Sequence, residues 1–393
     1  MSKIVFFGIP AHGHTNPTLG VVKELVSQGH EVWYYSYNSM RKKIESAGAT
    51  FISCDDYDTE QKLDVKDSVR VGKDLAFSTR ILVDTTLALD DKVCREMEKL
   101  KPDCIVADSM ALWGKAVAMK FGIPFVSSTT TFAFNRYSAR IMKQGLGDLF
   151  RMFLSIPKIS VQVKRLKDKG YPVKNIFDII GSDDNTHTIV YTSPQFQPCS
   201  ETFSDKYAFV GPSIRAATGE IEKKREKLIY VSMGTVNNDM MHFYKSCISA
   251  FKDTDYQVIM SVGSHVSMND FGELPENVLV FSHVDQIAVL KQADVFLSHC
   301  GMNSISESLY FEVPLVMVPQ TPEQKGVAER VLEFGAGIKL DKSDATSILG
   351  AVAEIFNDSS YKQNAEKISA GFKKCPGAKG ATDKIIEVCN SII

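Results

Sequence analysis

The chain has 393 residues, of which 44% are hydrophobic and 23% charged, and its formal net charge is −2. The length is enough for two domains, and a charge this close to zero gives the chain no general attraction to nucleic acid. The cysteines are scattered without a CxxC pair, which argues against a zinc knuckle or a disulfide scaffold and favours a reducing compartment.

The sequence opens on a short apolar run, 3–9, which is followed by Pro10 and two histidines. That run is too short for the hydrophobic part of a signal peptide. No stretch reaches the ~18 consecutive apolar residues that indicate a membrane-spanning helix. We therefore expect a cytoplasmic protein without a transmembrane segment.

The first half of the chain alternates strand-like apolar runs with helical patterns. A helix is predicted over 17–28, with Asn16 as its N-cap and Pro17 in its first turn. Strands alternating with helices predict a parallel sheet with right-handed crossovers. The predicted strands are 3–9, 31–36, 49–54, 103–109 and 124–130.

The second half repeats this alternation after a polar, charged segment that is typical of a linker. We therefore predict an α/β protein with two doubly wound, Rossmann-like domains that face each other across a cleft. The N-terminal domain is 1–212, the linker 213–227 and the C-terminal domain 228–393, with the last helix packing back on the first domain as an alternative. The predicted strands here are 227–234, 257–263, 277–284, 293–300 and 314–320.

Two histidines, His12 and His14, lie just beyond the first predicted strand, where ligands bind in doubly wound sheets. A metal site is disfavoured because two histidines are too few ligands for zinc. Plain loop residues remain an alternative. A proton-transfer role is favoured because Asp108, at the exit of another strand, could hold one ring nitrogen and stabilise the charged ring. For Asp108 itself, the N-cap of the following helix is an equal alternative.

The two common phosphate-binding fingerprints are absent. A dinucleotide site needs G-x-G-x-x-G after the first strand, where this sequence has Pro10 and His12 instead. The P-loop pattern G-x-x-x-x-G-K-[ST] is also absent. Neither a nicotinamide cofactor nor P-loop chemistry is predicted.

A second cluster of polar residues follows the predicted strand that ends near His299. Gly301 allows a ligand to approach the backbone, and the helix that opens after it presents free amides suited to a phosphate. Glu307, one turn further, is placed to accept hydrogen bonds from a ribose diol. These features indicate a nucleoside diphosphate site. Its phosphate-facing candidates are His299, Gly301, Asn303 and Ser304.

A further phosphate contact is predicted in SMGT, 232–235, at another strand exit. Its candidate residues are Ser232, Gly234 and Thr235. An ordinary strand-to-helix turn is the alternative for this segment.

These residues resemble a known family. The segment HCGMNSISESLYFEVPLVMVPQTPEQ, 299–324, resembles the signature of the UDP-glycosyltransferases, and PAHGHTNP, 10–17, resembles the start of their acceptor domain. The resemblance covers essentially the whole chain and is strongest to the bacterial macrolide and flavonoid glucosyltransferases of glycosyltransferase family 1, which have the GT-B fold. It implies inverting, metal-independent transfer of a sugar, with no cofactor beyond the UDP-sugar donor.

The resemblance also assigns roles to residues. It implies that His14 is the general base and Asp108 its partner, whereas His12 lines the acceptor pocket. It places His299 on the diphosphate and Glu307 on the ribose. The other phosphate contacts implied are Asn303, Ser304, Ser232 and Thr235. Glu323 and Gln324 match the pair that binds the sugar hydroxyls, and Gln324 favours UDP-glucose.

One segment departs from the family pattern. Many members have W-x-P-Q, with the Trp stacked on uracil, where this chain has SHVDQ, 282–286. Ser282 or His283 stands where the Trp would be, and Asp285 replaces the Pro. His283 could still stack on the base, the Val284 backbone could pair with it, and Gln286 is retained. A dTDP-sugar donor is therefore an alternative to a UDP-sugar.

The acceptor is expected to be a small hydrophobic molecule. Met110, Trp113, Phe132 and Phe134 are candidates for an apolar wall, although aromatic residues at such spacing are more often core. The partners expected are thus the nucleotide sugar and this acceptor, with no nucleic acid, in a monomer or weak dimer.

The stretch 136–174 is strongly basic and contains interleaved apolar residues. It raises the alternative of a membrane-surface enzyme that glycosylates lipids, against the simpler interpretation of solvated helices. Two further alternatives are a nucleotide-binding module without catalysis and an epimerase of UDP-sugars. Neither explains the acceptor-side motif with His14 and Asp108.

Overall fold

The computed structural model describes residues 1–55, 74–135, 137–138, 146–175, 178, 185–234, 239–264 and 266–391, with the backbone alone for Leu75 and 146–154. The chain divides into two compact units. The first unit comprises Met1–Tyr191, Cys199–Ser213 and Pro376–Ile393. The second comprises Thr192–Pro198 and Ile214–Cys375.

The described part of the first unit contains a seven-stranded, fully parallel sheet. Its order is β3-β2-β1-β4-β5-β6-β7, so the direction of winding reverses between β1 and β4. Such a reversal leaves a crevice beyond the carboxyl ends of those two strands. The strands are β1 Lys3–Phe7, β2 Glu31–Ser36, β3 Thr50–Ser53, β4 Cys104–Asp108, β5 Phe125–Thr129, β6 His187–Val190 and β7 Tyr207–Phe209.

Helices cover both faces of this sheet. They are α1 His12–Ser27, α2 Arg41–Ser46, α3 Leu75–Leu100, α4 Leu112–Phe121, α5 Leu146–Asp168 and, from the far end of the sequence, α12 Gly377–Asn390. Ile105 and Ala107 of β4 face one core with Trp113 of α4, whereas Cys104 and Val106 face the other with Ile385 of α12. This alternation buries β4 on both faces, as expected for a central parallel strand.

The prediction that Asn16 caps the first helix is wrong. Helix α1 begins at His12, with Ala11 at the N-cap position, and Pro17 lies inside it. The sequence predicts Pro17 in the first turn, whereas the structure has it more than one turn into the helix. Both His12 and His14 consequently stand on the first turn of α1 instead of in a loop.

The described part of the second unit contains a six-stranded parallel sheet of the same winding, β10-β9-β8-β11-β12-β13. Its reversal lies between β8 and β11. The strands are β8 Leu228–Ser232, β9 Gln257–Ser261, β10 Val278–Phe281, β11 Val295–Ser298, β12 Leu315–Met317 and β13 Gly337–Lys339. The helices are α6 Met241–Phe251, α7 Gln286–Leu290, α8 Met302–Tyr310, α9 Pro322–Glu333, α10 Ala345–Asn357 and α11 Ser360–Lys373.

The predicted doubly wound α/β fold class is confirmed in each unit. The polar segment before β8 has no regular structure, and its residues 214–225, here called the docked segment, belong to the second unit. Among the described residues, no helix combines the length and the apolar character that crossing a bilayer demands.

Candidate active site

The crevice of the first sheet brings together a histidine and a carboxylate. His14 stands on the first turn of α1, just beyond β1, and Asp108 is the last residue of β4. The Nδ1 atom of His14 lies 2.9 Å from Oδ2 of Asp108. The Asp108 side chain is 2% exposed and the His14 side chain 29%, so the carboxylate is buried behind a ring that reaches the surface.

The carboxylate of Asp108 is held from its other oxygen as well. Oδ1 accepts a hydrogen bond from the Met110 amide at 2.8 Å. The following helix, α4, begins at Leu112 with Ala111 at the N-cap, so the alternative of Asp108 as the helix N-cap is wrong. The turn at 108–111 instead locks the carboxylate while its second oxygen faces His14.

This geometry determines the tautomer of His14. An ionised carboxylate only accepts hydrogen bonds, so Nδ1 of His14 carries the proton that it shares with Asp108. The ring lone pair is then on Nε2, the atom that can accept a proton from a substrate. Thr130, just after β5, places its Oγ1 3.2 Å from the same Nδ1.

Two buried tyrosines lie close to the Asp108 carboxylate. The Tyr34 hydroxyl is 2.9 Å from Oγ1 of Thr18, and the Tyr191 hydroxyl accepts a hydrogen bond from Ser128 at 3.2 Å. Burial raises the pKa of both tyrosines, and the negative charge of Asp108 raises it further. Both therefore remain neutral at physiological pH.

The predicted acceptor-wall residues separate into two groups. Met110 and Phe134 are exposed, whereas Trp113 and Phe132 are buried, and Trp113 belongs to the core cluster under α4. His12 is exposed, with its Nδ1 3.2 Å from Nζ of Lys43. Their role in binding an acceptor stays a prediction.

The basic stretch 136–174 is described only in part. Residues 136 and 139–145 lie outside the described residues. In the described part of α5, Ile159, Val163 and Leu166 are buried, whereas Ile156 and Val161 are exposed. Contact with a membrane through this stretch stays a prediction.

In the second unit, His299 follows β11 and lies beside the exit of β8, at the reversal of that sheet. Glycines enclose its ring. A Cβ on Gly234 would come within 2.6 Å of the His299 Nε2 and Cε1 atoms, and one on Gly301 within 2.6 Å of Nε2. Both positions therefore need glycine for the backbone to approach the imidazole so closely.

The environment of His299 keeps it neutral. Burial lowers its pKa to about 4, and the Ser232 backbone opposes this only in part. Within the described residues, the buried Nδ1 of His299 has no hydrogen-bond partner. At neutral pH the imidazole is therefore uncharged, and one of its ring nitrogens carries an N–H that can donate a hydrogen bond.

The predicted ribose residue, Glu307, is held by Gln286. Nε2 of Gln286 donates to Oε2 of Glu307 at 2.6 Å and lies 3.4 Å from Oγ of Ser304. The Tyr230 hydroxyl donates to Oε1 of Gln286 at 3.3 Å. Burial raises the pKa of Glu307, which Gln286 and the charge of Arg215 offset in part.

The other predicted donor residues are placed as follows. Asn303 and Ser304 stand on the first turn of α8, whose N-cap is Gly301. Gln324 is buried and closes a capping box with Thr321 at the start of α9, with Glu323 exposed beside it. Thr235 lies outside the described residues.

In the departing segment SHVDQ, Asp285 makes contacts that the sequence does not predict. His283 is exposed and Val284 half-buried. Asp285 accepts hydrogen bonds from Arg215, from the Thr218 backbone and side chain, and from the Ile287 amide. The partners of Asp285 are about 70 residues earlier, so no local signal indicated them.

Side chains that could bind a metal do not cluster anywhere among the described residues. Among those residues, no group of three or more His, Cys, Asp or Glu side chains is arranged to hold an ion.

Comparison with known proteins identifies relatives along the whole chain. Residues 245–388 match the family described as "Erythromycin biosynthesis protein CIII-like, C-terminal domain". The chain is 33% identical to the uncharacterized UDP-glucosyltransferase YojK of Bacillus subtilis, covering 98% of this chain and 97% of that protein. It is 34% identical to the NDP-glycosyltransferase YjiC of Bacillus licheniformis, covering 97% and 96%.

Solved structures agree with these relatives. The glycosyltransferase of kitacinnamycin has a TM-score of 0.85 at 26% identity and covers 98% of both chains. The calicheamicin glycosyltransferase CalG4 has a TM-score of 0.83 at 26% identity and covers 100% of this chain and 99% of that one.

Proposed function

The chain belongs to the UDP-glycosyltransferases of family 1, and from that premise we propose that it transfers glucose from UDP-glucose to a hydroxyl group of a small hydrophobic acceptor, such as a macrolide or a flavonoid. The reaction inverts the anomeric carbon and needs no metal. The observation that carries the proposal is the pair formed by the partly exposed His14 and the buried Asp108, 2.9 Å apart.

In the proposed mechanism, Nε2 of His14 takes the proton of the acceptor hydroxyl. The acceptor oxygen forms a bond to the anomeric carbon while the bond from that carbon to the diphosphate oxygen breaks. The electron pair leaves with UDP, and the proton stays on His14, where Asp108 stabilises the imidazolium. A single displacement on the face opposite the leaving group inverts the configuration.

The leaving diphosphate is assigned to the second unit. Its charge is met by a hydrogen bond from the neutral His299 and by the free amides at the first turn of α8. Preorganised donors of this kind stabilise charge as it develops. They support departure of the diphosphate without a metal ion. Glu307, held by Gln286, is the proposed acceptor of the ribose hydroxyls.

The donor assignment is supported by the relatives. One is named a UDP-glucosyltransferase, and another carries the broader name NDP-glycosyltransferase. A dTDP-sugar is the second candidate donor. It is favoured by SHVDQ, 282–286, in which the exposed His283 stands in place of the aromatic base platform of many members.

The test combines donor binding with product analysis. Calorimetry with UDP, dTDP and NAD in the presence of EDTA is expected to give micromolar binding of UDP, weaker binding of dTDP and none of NAD. Incubation with UDP-glucose and a panel of flavonols and macrolide aglycones is then expected to give β-glucosides, identified by the anomeric proton in NMR.

A pair of variants tests the role of the base. His14→Ala is expected to lower kcat by about 10²–10⁴-fold with UDP affinity unchanged. His30→Ala, just past the other end of α1, is the matched control and keeps wild-type turnover. An α-glucoside product would contradict inversion, and near-normal turnover of His14→Ala would contradict the general base.

A further inference from the structure

The docked segment is attached to the second unit by polar contacts. It is polar and charged, and residues at both of its ends form hydrogen bonds with the rest of the unit. Gln292 and Gln257 donate to the carbonyls of Ile221 and Glu222, Lys223 pairs with Asp294 at 2.7 Å, and Arg225 donates to the Thr254 carbonyl. The segment is therefore a fixed part of this unit, and its N-terminal end reaches the donor site.

That end is held by Asp285. The Arg215 guanidinium lies 2.5 Å from Oδ1 of Asp285, and the Thr218 amide and hydroxyl donate to Oδ2 at 2.5 and 2.8 Å. Oδ1 also accepts from the Ile287 amide at 3.1 Å, which caps α7. The Asp285 side chain is 12% exposed, so four donors converge on a largely desolvated carboxylate.

The charge state of this cluster is stable. Burial alone would raise the pKa of Asp285, but the hydrogen bonds from Arg215 and Thr218 hold it well below its usual range. Asp285 is therefore ionised at neutral pH, where it forms an ion pair with Arg215.

Gln286, the residue after Asp285, connects this ion pair to Glu307 in the proposed donor site. Gln286 is the first residue of α7, and its side-chain amide holds Glu307 at 2.6 Å. Its orientation depends on where α7 begins, and Asp285 sets that position. Many family members have Pro where this chain has Asp285, so a polar clamp here replaces a residue with a fixed backbone angle.

We propose that Asp285 and Arg215 are positioning residues of the donor site: their ion pair fixes 282–286, and through Gln286 the Glu307 carboxylate, in the geometry that binds a nucleoside diphosphate. This inference rests on the proposed function. Neither residue is required to touch the ligand. Their effect is on donor affinity, because the reacting atoms are handled by other residues.

The experiment measures UDP binding by calorimetry and the kinetic constants with UDP-glucose. Asp285→Ala and Arg215→Ala are expected to weaken UDP binding by about 10–100-fold, because Glu307 then loses the fixed position from which its charged carboxylate bonds the ribose hydroxyls. KM for UDP-glucose rises in parallel, and kcat at saturating donor stays within about threefold of wild type. Arg215→Lys restores most of the affinity because it keeps the charge.

The matched control is Asp344→Ala. Asp344 caps α10 in the same unit through the Ser347 amide at 2.9 Å, so its loss removes an Asp cap with no connection to Glu307. It is expected to lower thermal stability and leave UDP affinity unchanged. Arg215→Ala keeps the cap of α7, so it separates positioning from folding if Asp285→Ala is unstable.

The results distinguish failure of the positioning role from failure of the proposed function. If the wild-type protein binds UDP but Asp285→Ala and Arg215→Ala bind it equally well, or if kcat falls while KM stays constant, the positioning role is overturned and the proposed function stands. If the wild-type protein binds neither UDP nor dTDP, the proposed function falls and this inference falls with it.

Discussion

Replacing Asp108 by Asn tests the His14 tautomer directly. The Met110 amide donates to Oδ1 of Asp108, and the asparagine keeps that bond only if its own oxygen takes the same position. Its NH₂ group then faces Nδ1 of His14, where wild type has Oδ2 at 2.9 Å. An NH₂ group donates, so Nδ1 must accept, and the ring proton moves to Nε2.

The expected magnitude follows from that exchange. With the proton on Nε2, His14 cannot take the proton of an acceptor hydroxyl, so the general-base contribution is lost. The imidazolium also loses a carboxylate that is 2% exposed and little screened by water. Together we expect kcat to fall by about 10²–10⁴-fold, or about 3–5 kcal/mol in the barrier.

The assay is initial-rate kinetics with UDP-glucose and a flavonol acceptor, with UDP affinity measured separately by calorimetry. UDP affinity is expected to stay at the wild-type value, because the proposed donor residues belong to the second unit. Asp103→Asn is the matched control. Asp103 precedes the same strand, accepts from the Lys3 amide at 2.7 Å and takes no part in the site.

The reasoning is refuted if Asp108→Asn keeps more than a third of wild-type kcat with its melting temperature unchanged. A fall equal to that of Asp103→Asn would be equally damaging, because it would reduce Asp108 to a structural residue of β4.

Three further predictions concern the second unit. Gly234 has φ +81°, and a Cβ added there would lie 2.6 Å from the His299 ring. Gly234→Ala should therefore lower the free energy of unfolding by about 1–2 kcal/mol in thermal melts and weaken UDP binding in calorimetry. Gly219→Ala, whose added Cβ would meet nothing within 4 Å, is the control and should change neither. Because the pKa of His299 falls to about 4 on folding, the free energy of unfolding should drop by at most about 3 kcal/mol as the pH falls from 6.5 to 4. In urea titrations, His299→Gln should reduce this dependence of stability on pH. An unchanged dependence would contradict the neutral ring. Glu307→Gln should reduce the ratio of UDP to dTDP affinity, since dTDP lacks the 2′-hydroxyl; an unchanged ratio would remove Glu307 from the ribose.

The central strands could be predicted from the sequence because strands buried on both faces appear as continuous apolar runs. β1, β2 and β4 are examples, and the predicted ends were within about two residues of the observed ones. Three strands were missed, His187–Val190, Tyr207–Phe209 and Gly337–Lys339. They are three or four residues long, and His187 and Lys339 shorten the apolar runs of the first and the last.

The polar residues at the strand exits could also be predicted, because a parallel sheet collects its carboxyl ends at one edge. The pairing of His14 with Asp108 followed from that rule. The contacts of Thr130 with His14, and of Arg215 and Thr218 with Asp285, did not. They depend on the directions of side chains from segments far apart in the sequence, and the sequence around a polar loop residue does not indicate its partner.

The error at the start of α1 has a physical cause as well. Asn16 and Pro17 form a strong local signal for a helix start, but the observed helix begins at His12. Starting the helix there puts His14 on the first turn, beside Asp108. The tertiary contact overrides the local preference, as propensities routinely yield to packing.

Because helix α12 belongs to the first unit, that unit cannot complete its core until the end of the chain is synthesised. Ile385 and Val388 complete the core around Ile4 and Phe6, and Lys384 reaches the Asp205 carbonyl at 3.2 Å. During synthesis, residues 1–213 leave the ribosome long before 376–391 exist. The core of the first unit therefore stays incomplete, with apolar surface exposed, while Ile214–Cys375 of the second unit is synthesised. That interval is when the nascent chain is most exposed to aggregation, and chaperones would act on it there.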